Sequence, residues 1–392
     1  MSSKLYQFFK GRAGQFERIE KACKGVEDII WVHAASYGEF EEARPVIEAI
    51  RARESKYRFL VTFFSPSGYE HLKNDPVADF VFYLPIDTKR NARRFLDLVR
   101  PVKVIVSISD YWLNFLHELR DRNIPTYLIS ARFLPDMAYF KPIGKIYLDA
   151  FRTCFTKIIV NSEPSFEVLK KAGLSNVAIS GDPRLDRVNA IAAEQWSDAL
   201  VERWCDGHKV FVAGSTLPDE DDECIIAAAN RNPGDKFLII PHEQGKAQIS
   251  HLLSSIKGGA VLYTDPGENL RSAQALIVDT VGMLSRLYRY GFASFVGSGF
   301  SGESPHSIIE PAAYGIPVSF GPLFGTQQTH CTNMIAAGAA VAVKDREDFC
   351  EWYSKLKTEP DYLDSMGKAA AGYCRQGGGV ADSIASMILG YK

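Results

Sequence analysis

Short apolar runs alternate with longer amphipathic ones along almost the whole chain, and this rhythm limits the possible folds more than any other feature. In the first half, apolar runs stand at 29–33, 58–63, 80–84, 102–107, 125–129, 157–160 and 176–179. Between them, 40–52, 88–99, 112–121 and 163–171 carry apolar residues at helical spacing. A strand–helix–strand succession of this kind forms a parallel sheet with helices on both faces. Pro101 and Pro125 stand at strand entries, where a missing N–H does little harm.

Gly181-Asp182-Pro183-Arg184 interrupts the rhythm, and an amphipathic helix over 186–204 is expected to follow. A second alternation then has strands near 209–213, 236–240, 259–263, 275–278, 292–296, 317–320 and 339–343. The tail, 345–392, reads as helices alone. The expectation is an α/β chain of two Rossmann-like domains, 1–183 and 184–392, with parallel sheets facing a central cleft. A length of 392 residues suits two domains of ordinary size. A net charge of -2 gives no electrostatic reason to expect nucleic acid as a partner. The seven cysteines form no CxxC pair and the eight histidines are dispersed, so no metal site is expected, and the thiols read as reduced, in a cytosolic compartment. No apolar stretch is long enough to span a bilayer, and the N-terminus lacks the apolar core of a signal peptide. Leu5, Phe8, Phe9, Phe16 and Ile19 can form one face of an amphipathic segment, with Lys4, Lys10, Arg12 and Arg18 around it. Docking on its own domain is the favoured reading, and lying on an anionic membrane is the other.

The most informative stretch is 29–44. Ile29 to Val32 read as a buried strand. Small residues follow, then Gly38 and Glu39, and then Phe40, Ala43, Val46, Ile47 and Ile50 at helical spacing. A turn of this kind lies at the carboxyl end of a strand, where open parallel sheets bind ligands. Glu39 reads either as a helix-start carboxylate favoured by the dipole or as a general base. In the second half, a glycine-rich loop from Gly297 leads through His306, Ser307, Ile308 and Ile309 to Glu310, with a helix opening near Ser307. Free N–H groups there make an anion site, and Glu310 can take ribose hydroxyls. Ser215 and Thr216 end a strand and either cap the next helix or reach a phosphate. The acidic run 219–223 reads as a solvated helix start.

The string His33-Ala-Ala-Ser-Tyr-Gly-Glu39, followed by Glu41-Glu-Ala-Arg-Pro45, resembles the signature of the 3-deoxy-D-manno-octulosonic acid (Kdo) transferases. The run Glu310-Pro-Ala-Ala-Tyr-Gly-Ile-Pro-Val318 resembles the donor-nucleotide motif of GT-B glycosyltransferases. The resemblance implies a GT-B fold whose last helices, about 375–392, cross back to the first domain. It implies an inverting, metal-independent transfer of Kdo from CMP-Kdo to a lipid A precursor, at the cytoplasmic face of the inner membrane. Glu39 falls on the family's catalytic base. Asp110 and Arg184 fall on positions that stabilise the transition state, although the family has glutamate where Asp110 stands. Pro241, His242, Gly282, Met283 and Leu284 fall on nucleotide contacts, and the pair His306-Ser307 replaces a family His-Asn. Trp112 and Asn114 match the family around Asp110. Arg132, Lys141, Lys145 and Arg152 suggest an acceptor-phosphate site. The family commonly places a membrane anchor ahead of a segment like Gly11–Arg18, which here stands close to residue 1, so peripheral attachment or a missing anchor is expected. The alternatives are a same-fold enzyme for another nucleotide sugar, an epimerase, or a non-catalytic relative that binds nucleotide or lipid.

Overall fold

The computed structural model describes residues 10–300, 304–325 and 329–391. Two compact units emerge, residues 1–186 with 379–392, and residues 187–378. The expected division at 183/184 falls three residues short of this one, and the returning segment starts at Gly379.

The first unit holds seven parallel strands: β1 (Ile29–Ala34), β2 (Arg58–Phe63), β3 (Phe80–Tyr83), β4 (Lys103–Ser107), β5 (Thr126–Ala131), β6 (Lys157–Val160) and β7 (Val177–Ile179). Their order is β3-β2-β1-β4-β5-β6-β7. The chain builds outward from β1 in one direction and then returns to build from β4 in the other. The point of reversal therefore lies between β1 and β4, where open parallel sheets leave a ligand crevice.

Every residue of β1 is buried. Ile29 and Trp31 join one core, with Phe95, Phe115 and Phe151 from covering helices. Ile30, Val32 and Ala34 join the other, under the Tyr37–Arg53 helix. The last helix, Val380–Leu389, lies against that helix through Ala381, Ile384, Ala385 and Ile388. Ion pairing of Arg53 with Asp382 at 2.8 Å borders the contact. In the Gln15–Cys23 helix, Ile19 is fully buried and Phe16 packs on the first core. Those two side chains serve the fold, while Lys4, Leu5, Phe8 and Phe9 lie outside the described residues.

The second unit repeats the plan: β8 (Val210–Thr216), β9 (Phe237–Pro241), β10 (Ala260–Leu262), β11 (Ala275–Ile277), β12 (Gly291–Val296), β13 (Val318–Phe320) and β14 (Ala340–Ala342). The order is β10-β11-β9-β8-β12-β13-β14, again all parallel, with the reversal between β8 and β12. The helix expected over 186–204 is two helices, Arg184–Ala193 and Ala199–Cys205. Asp198 accounts for the break. Its carboxylate accepts the N–H groups of Leu200 and Val201 at 3.1 and 3.0 Å, which starts a new helix. All seven cysteines are buried and free.

Candidate active site

The carboxyl ends of two strands meet at the reversal point of the first sheet. β1 runs into the turn Ala35–Glu39, and β4 runs into Ser107–Trp112. Ser36 caps the Tyr37–Arg53 helix by accepting the Glu39 N–H at 3.4 Å. The Glu39 carboxylate folds back, and Oε2 accepts the Ala35 N–H at 2.8 Å. This is close to a capping box. Oε1, however, faces β4 and accepts from the Ser109 hydroxyl at 2.9 Å. The Ser107 hydroxyl donates to the Glu39 carbonyl at 2.7 Å, tying the two turns together. Burial raises the Glu39 pKa above the usual carboxylate value. The hydrogen bonds from Ala35 and Ser109 oppose that, and the charge of Asp110 adds to it. The Glu39 carboxylate is thus a helix-start group that also faces the turn after β4, half-buried and more basic than a solvated glutamate.

Asp110 sits on a strained turn. Ile108 has φ 60° and Asp110 has φ 70°, both in the left-handed region. Its Oδ2 lies 3.4 Å from Nε2 of His33, a fully covered side chain on β1. Tyr111 closes the turn, with its hydroxyl donating to the Ile108 carbonyl at 3.2 Å and its ring among Phe133, Tyr139 and Phe151. Asn114 is bound to Asp87, so it anchors the helix start.

Arg184 is placed by Asp182, which takes its backbone N–H at 2.9 Å and its Nη2 at 2.6 Å. The same guanidinium pairs with buried Glu42 at 3.0 Å. Glu42 stands one helical turn after Glu39, so Arg184 belongs to the first unit's rim. Burial, and then the charge of Asp182, push the Glu42 carboxyl up to about 8, with Arg184 opposing. The guanidinium is mostly engaged by Asp182, so it offsets only part of that effect. Half-buried Arg132 joins this cluster, where burial and the nearby Arg184 lower its pKa. Lys141 and Lys145 are exposed, and Arg152 pairs with Asp149 at 3.3 Å.

The second unit gathers its candidates at the reversal point between β8 and β12. Ser215 has φ 55°, and Gly297 packs so closely that a Cβ there would lie 2.0 Å from the Ser215 carbonyl oxygen. The Thr216 carbonyl accepts from His242 N–H and from Gln248 at 2.9 and 3.1 Å. Pro241 is the buried last residue of β9. His242, exposed, stacks on His306 with centroids 4.2 Å apart. Burial, and then the neighbouring His242, lower the His306 pKa to about 4. The expected helix at Ser307 begins at Ile309 and is one turn long. Ile308 and Ile309 are buried, so only their main chain can meet a ligand. Glu310 stands in that turn. Gly282, with φ 88°, precedes Met283 and Leu284, which open the short Leu284–Leu287 helix. Residues 301–303 of the glycine-rich loop lie outside the described residues.

The acidic run departs from expectation. Asp221 and Asp222 are buried. Asp221 Oδ2 accepts the N–H groups of Leu217 and Ser298, each at 2.8 Å, and so links the turns after β8 and β12. Orphan amide donors in two loops, rather than the dipole alone, drew that carboxylate inward. Among the described residues, no group of histidine, cysteine and acidic side chains could hold a metal ion, and no helix is long and apolar enough to cross a membrane.

A family profile described as 3-deoxy-D-manno-octulosonic-acid transferase (kdotransferase) matches residues 8–187. A 3-deoxy-D-manno-octulosonic acid transferase from Haemophilus influenzae is 27% identical over 306 residues, 74% of this chain and 70% of the relative. One from Aquifex aeolicus is 26% identical over 307 residues, 77% of each chain. The chain is similar to these transferases over about three quarters of its length, and to the family profile over its first unit. Its fold, two α/β units of the GT-B class, also matches a UDP-GlcNAc 2-epimerase from Neisseria meningitidis with a TM-score of 0.64. That match has 15% identity and covers 92% of this chain and 99% of the other.

Glu39 and Asp110 come together on one rim, with Arg184 one helical turn along. The nucleotide candidates gather around the other sheet's reversal point. Sequence reasoning passed over His33, Ser109 and Glu42, whereas the Arg184–Asp182 ion pair was an expected alternative for Arg184. A polar residue at a strand's carboxyl end was the available signal for His33 and Ser109. The burial of Glu42 had none, because it lies within an unremarkable charged run.

Proposed function

We propose that this protein transfers Kdo from CMP-Kdo to a lipid A precursor in lipopolysaccharide biosynthesis, with inversion and without a metal. The observation that carries the reading is the Glu39 carboxyl, held at the sheet reversal by Ala35 and Ser109 and made more basic by burial. Glu39 takes the proton of an acceptor hydroxyl while that oxygen attacks the anomeric carbon of Kdo. The carbon–phosphate bond breaks on the opposite face, and CMP leaves. A phosphate leaving group needs charge stabilisation more than protonation. His242, His306, Ser307, Glu310 and the turns at Ser215–Thr216 and Gly282–Leu284 are assigned to the CMP moiety. Arg184 supplies positive charge, but Asp182 already engages it and Glu42 lies against it, so its effect is smaller than that of an unpaired arginine.

The acceptor is an anionic amphiphile. Supporting a membrane-surface location, at the cytoplasmic face of the inner membrane, are Ile143 and Ile146, 86% and 52% exposed, beside exposed Lys141 and Lys145. They follow β5 at the same end of the sheet as Glu39. An apolar tip flanked by lysines is suited to an anionic bilayer surface.

The test is an end-point assay by mass spectrometry. Protein is mixed with enzymatically generated CMP-Kdo and a tetraacylated lipid A precursor, with Glu39→Gln in parallel. The expected result is a product heavier by one or more Kdo units, absent with the variant, while the variant still binds CMP. Wild-type turnover by Glu39→Gln would remove the base assignment, and CMP binding with no product would remove the acceptor assignment.

A further inference from the structure

His33 is buried on β1, two residues before the turn that carries Ser36 and Glu39, and its ring touches two tryptophan-linked partners. Nδ1 lies 3.1 Å from the Thr62 carbonyl and 3.0 Å from the Thr62 hydroxyl, across the register pair of β1 and β2. The Trp31 indole N–H donates to that hydroxyl at 2.8 Å. On the other side, the Trp112 indole N–H donates to Nε2 at 3.2 Å, and Asp110 Oδ2 stands 3.4 Å from the same nitrogen.

An indole nitrogen is only ever a donor. Trp112 therefore requires a lone pair on Nε2, and a proton there would set two N–H groups against each other. The neutral ring then carries its proton on Nδ1, where a main-chain carbonyl accepts it. In that tautomer Nε2 has nothing to donate to Asp110. The carboxylate oxygen faces a lone pair and makes no hydrogen bond with the ring.

We propose that Trp112 and His33 are positioning residues for Asp110: the indole holds the imidazole in the one tautomer that leaves Oδ2 open to a substrate hydroxyl or a developing positive charge. The other tautomer is within reach. The Thr62 hydroxyl can donate to Nδ1, and Nε2–H would then bond Asp110 and occupy the oxygen. The Trp112 N–H and the Thr62 carbonyl favour the first tautomer and Asp110 favours the second, and removing the indole leaves only the carbonyl against the carboxylate. The Trp112 ring packs at a tilt against Phe64, with centroids 5.0 Å apart, and this contact keeps the donor aimed.

The kinetic half of this inference depends on the proposed Kdo transfer, and the spectroscopic half does not. Full-length protein carrying labelled histidine is examined by long-range nitrogen–proton correlation, with His33 assigned by the signal lost in His33→Gln. Wild type should show neutral His33 protonated on Nδ1, and Trp112→Phe should show it protonated on Nε2. In Kdo transfer, Trp112→Phe should lower kcat about tenfold, the worth of one hydrogen bond, with KM for CMP-Kdo unchanged. The same change made in Asp110→Asn should lower kcat no further. An Nε2–H ring in wild type overturns the inference. So does a Trp112→Phe loss that keeps its full size beside Asp110→Asn, because a purely structural role would behave that way. If wild type makes no Kdo product, the function falls, and the tautomer spectra still decide the hydrogen-bond assignment.

Discussion

Removing the Ser109 hydroxyl tests the proposed base without touching it. Ser109 donates to Oε1 of Glu39 at 2.9 Å and favours the ionised carboxylate. A hydrogen bond to a charged group contributes about 1.5–3 kcal/mol. Glu39 is only partly buried, and water can replace some of the loss, so the lower end applies. One pH unit of carboxylate stabilisation corresponds to about 1.4 kcal/mol. Ser109→Ala should therefore move the acid limb of the kcat/KM profile upward by about one pH unit.

The sign follows from the form that acts. Only ionised Glu39 accepts the acceptor's proton, and burial already lifts its pKa. Losing a donor lifts it further, so activity falls about tenfold below the limb and little above it. The assay is initial-rate Kdo transfer across pH, with Ser109→Thr as the variant that restores a hydroxyl. A limb that stays in place, or moves to lower pH, refutes the claim that Glu39 ionisation sets it. An equal loss at every pH would point instead to a displaced turn.

Other expected outcomes follow from the same structure. His306 is held near 4 by burial and by His242, so binding the CMP phosphate beside it should draw in a proton; CMP affinity should weaken as pH rises, and calorimetry in buffers of different ionisation enthalpy should show proton uptake that His306→Asn removes. Glu42 is pushed up to about 8 in the fold, so the folded state holds a proton that the unfolded chain releases near 4.5; thermal stability should fall as pH rises from about 5 to 8, and fall less in Glu42→Gln. Ile384, fully buried against the Tyr37–Arg53 helix, should cost about 2–4 kcal/mol when cut to alanine, seen as a lower denaturant midpoint.

The sheets were legible because parallel strands are buried on both faces and therefore read as unbroken apolar runs. The run 157–160 is β6 to the residue, and 58–63 is β2. Legibility failed where a tertiary partner decided the outcome. Asp198 divides a helix that periodicity alone joined, because its capping bonds start a new helix at Ala199. Asp221 looks like any first-turn acid until Ser298, far along the chain, supplies an amide. The Glu39 turn was recognisable as a turn, but its second hydrogen-bond partner, Ser109, belongs to the turn after β4. No local pattern relates positions 39 and 109.

The strain around Asp110 fits the shorter acid at this position. A left-handed conformation in a β-branched residue and in its neighbour but one costs on the order of 1–3 kcal/mol each. Ile108 and Asp110 both carry it. The turn is held by bonds on every side: Ile108 N–H to the Ile129 carbonyl at 3.0 Å, Ser109 to Glu39, Tyr111 to the Ile108 carbonyl, and Asp87 beneath the following helix. A relaxed turn would aim a carboxyl at this position elsewhere. The strained one brings a short side chain to the edge of His33 and within the field of Glu39. Backbone conformation thus supplies the reach that a glutamate would obtain from its extra methylene. On this reasoning Asp110→Glu does not improve the site. The longer chain on the same strained turn meets the His33 and Trp112 rings, and the rate of Kdo transfer should fall rather than rise, whereas a gain in rate would mean that the strain serves some other contact.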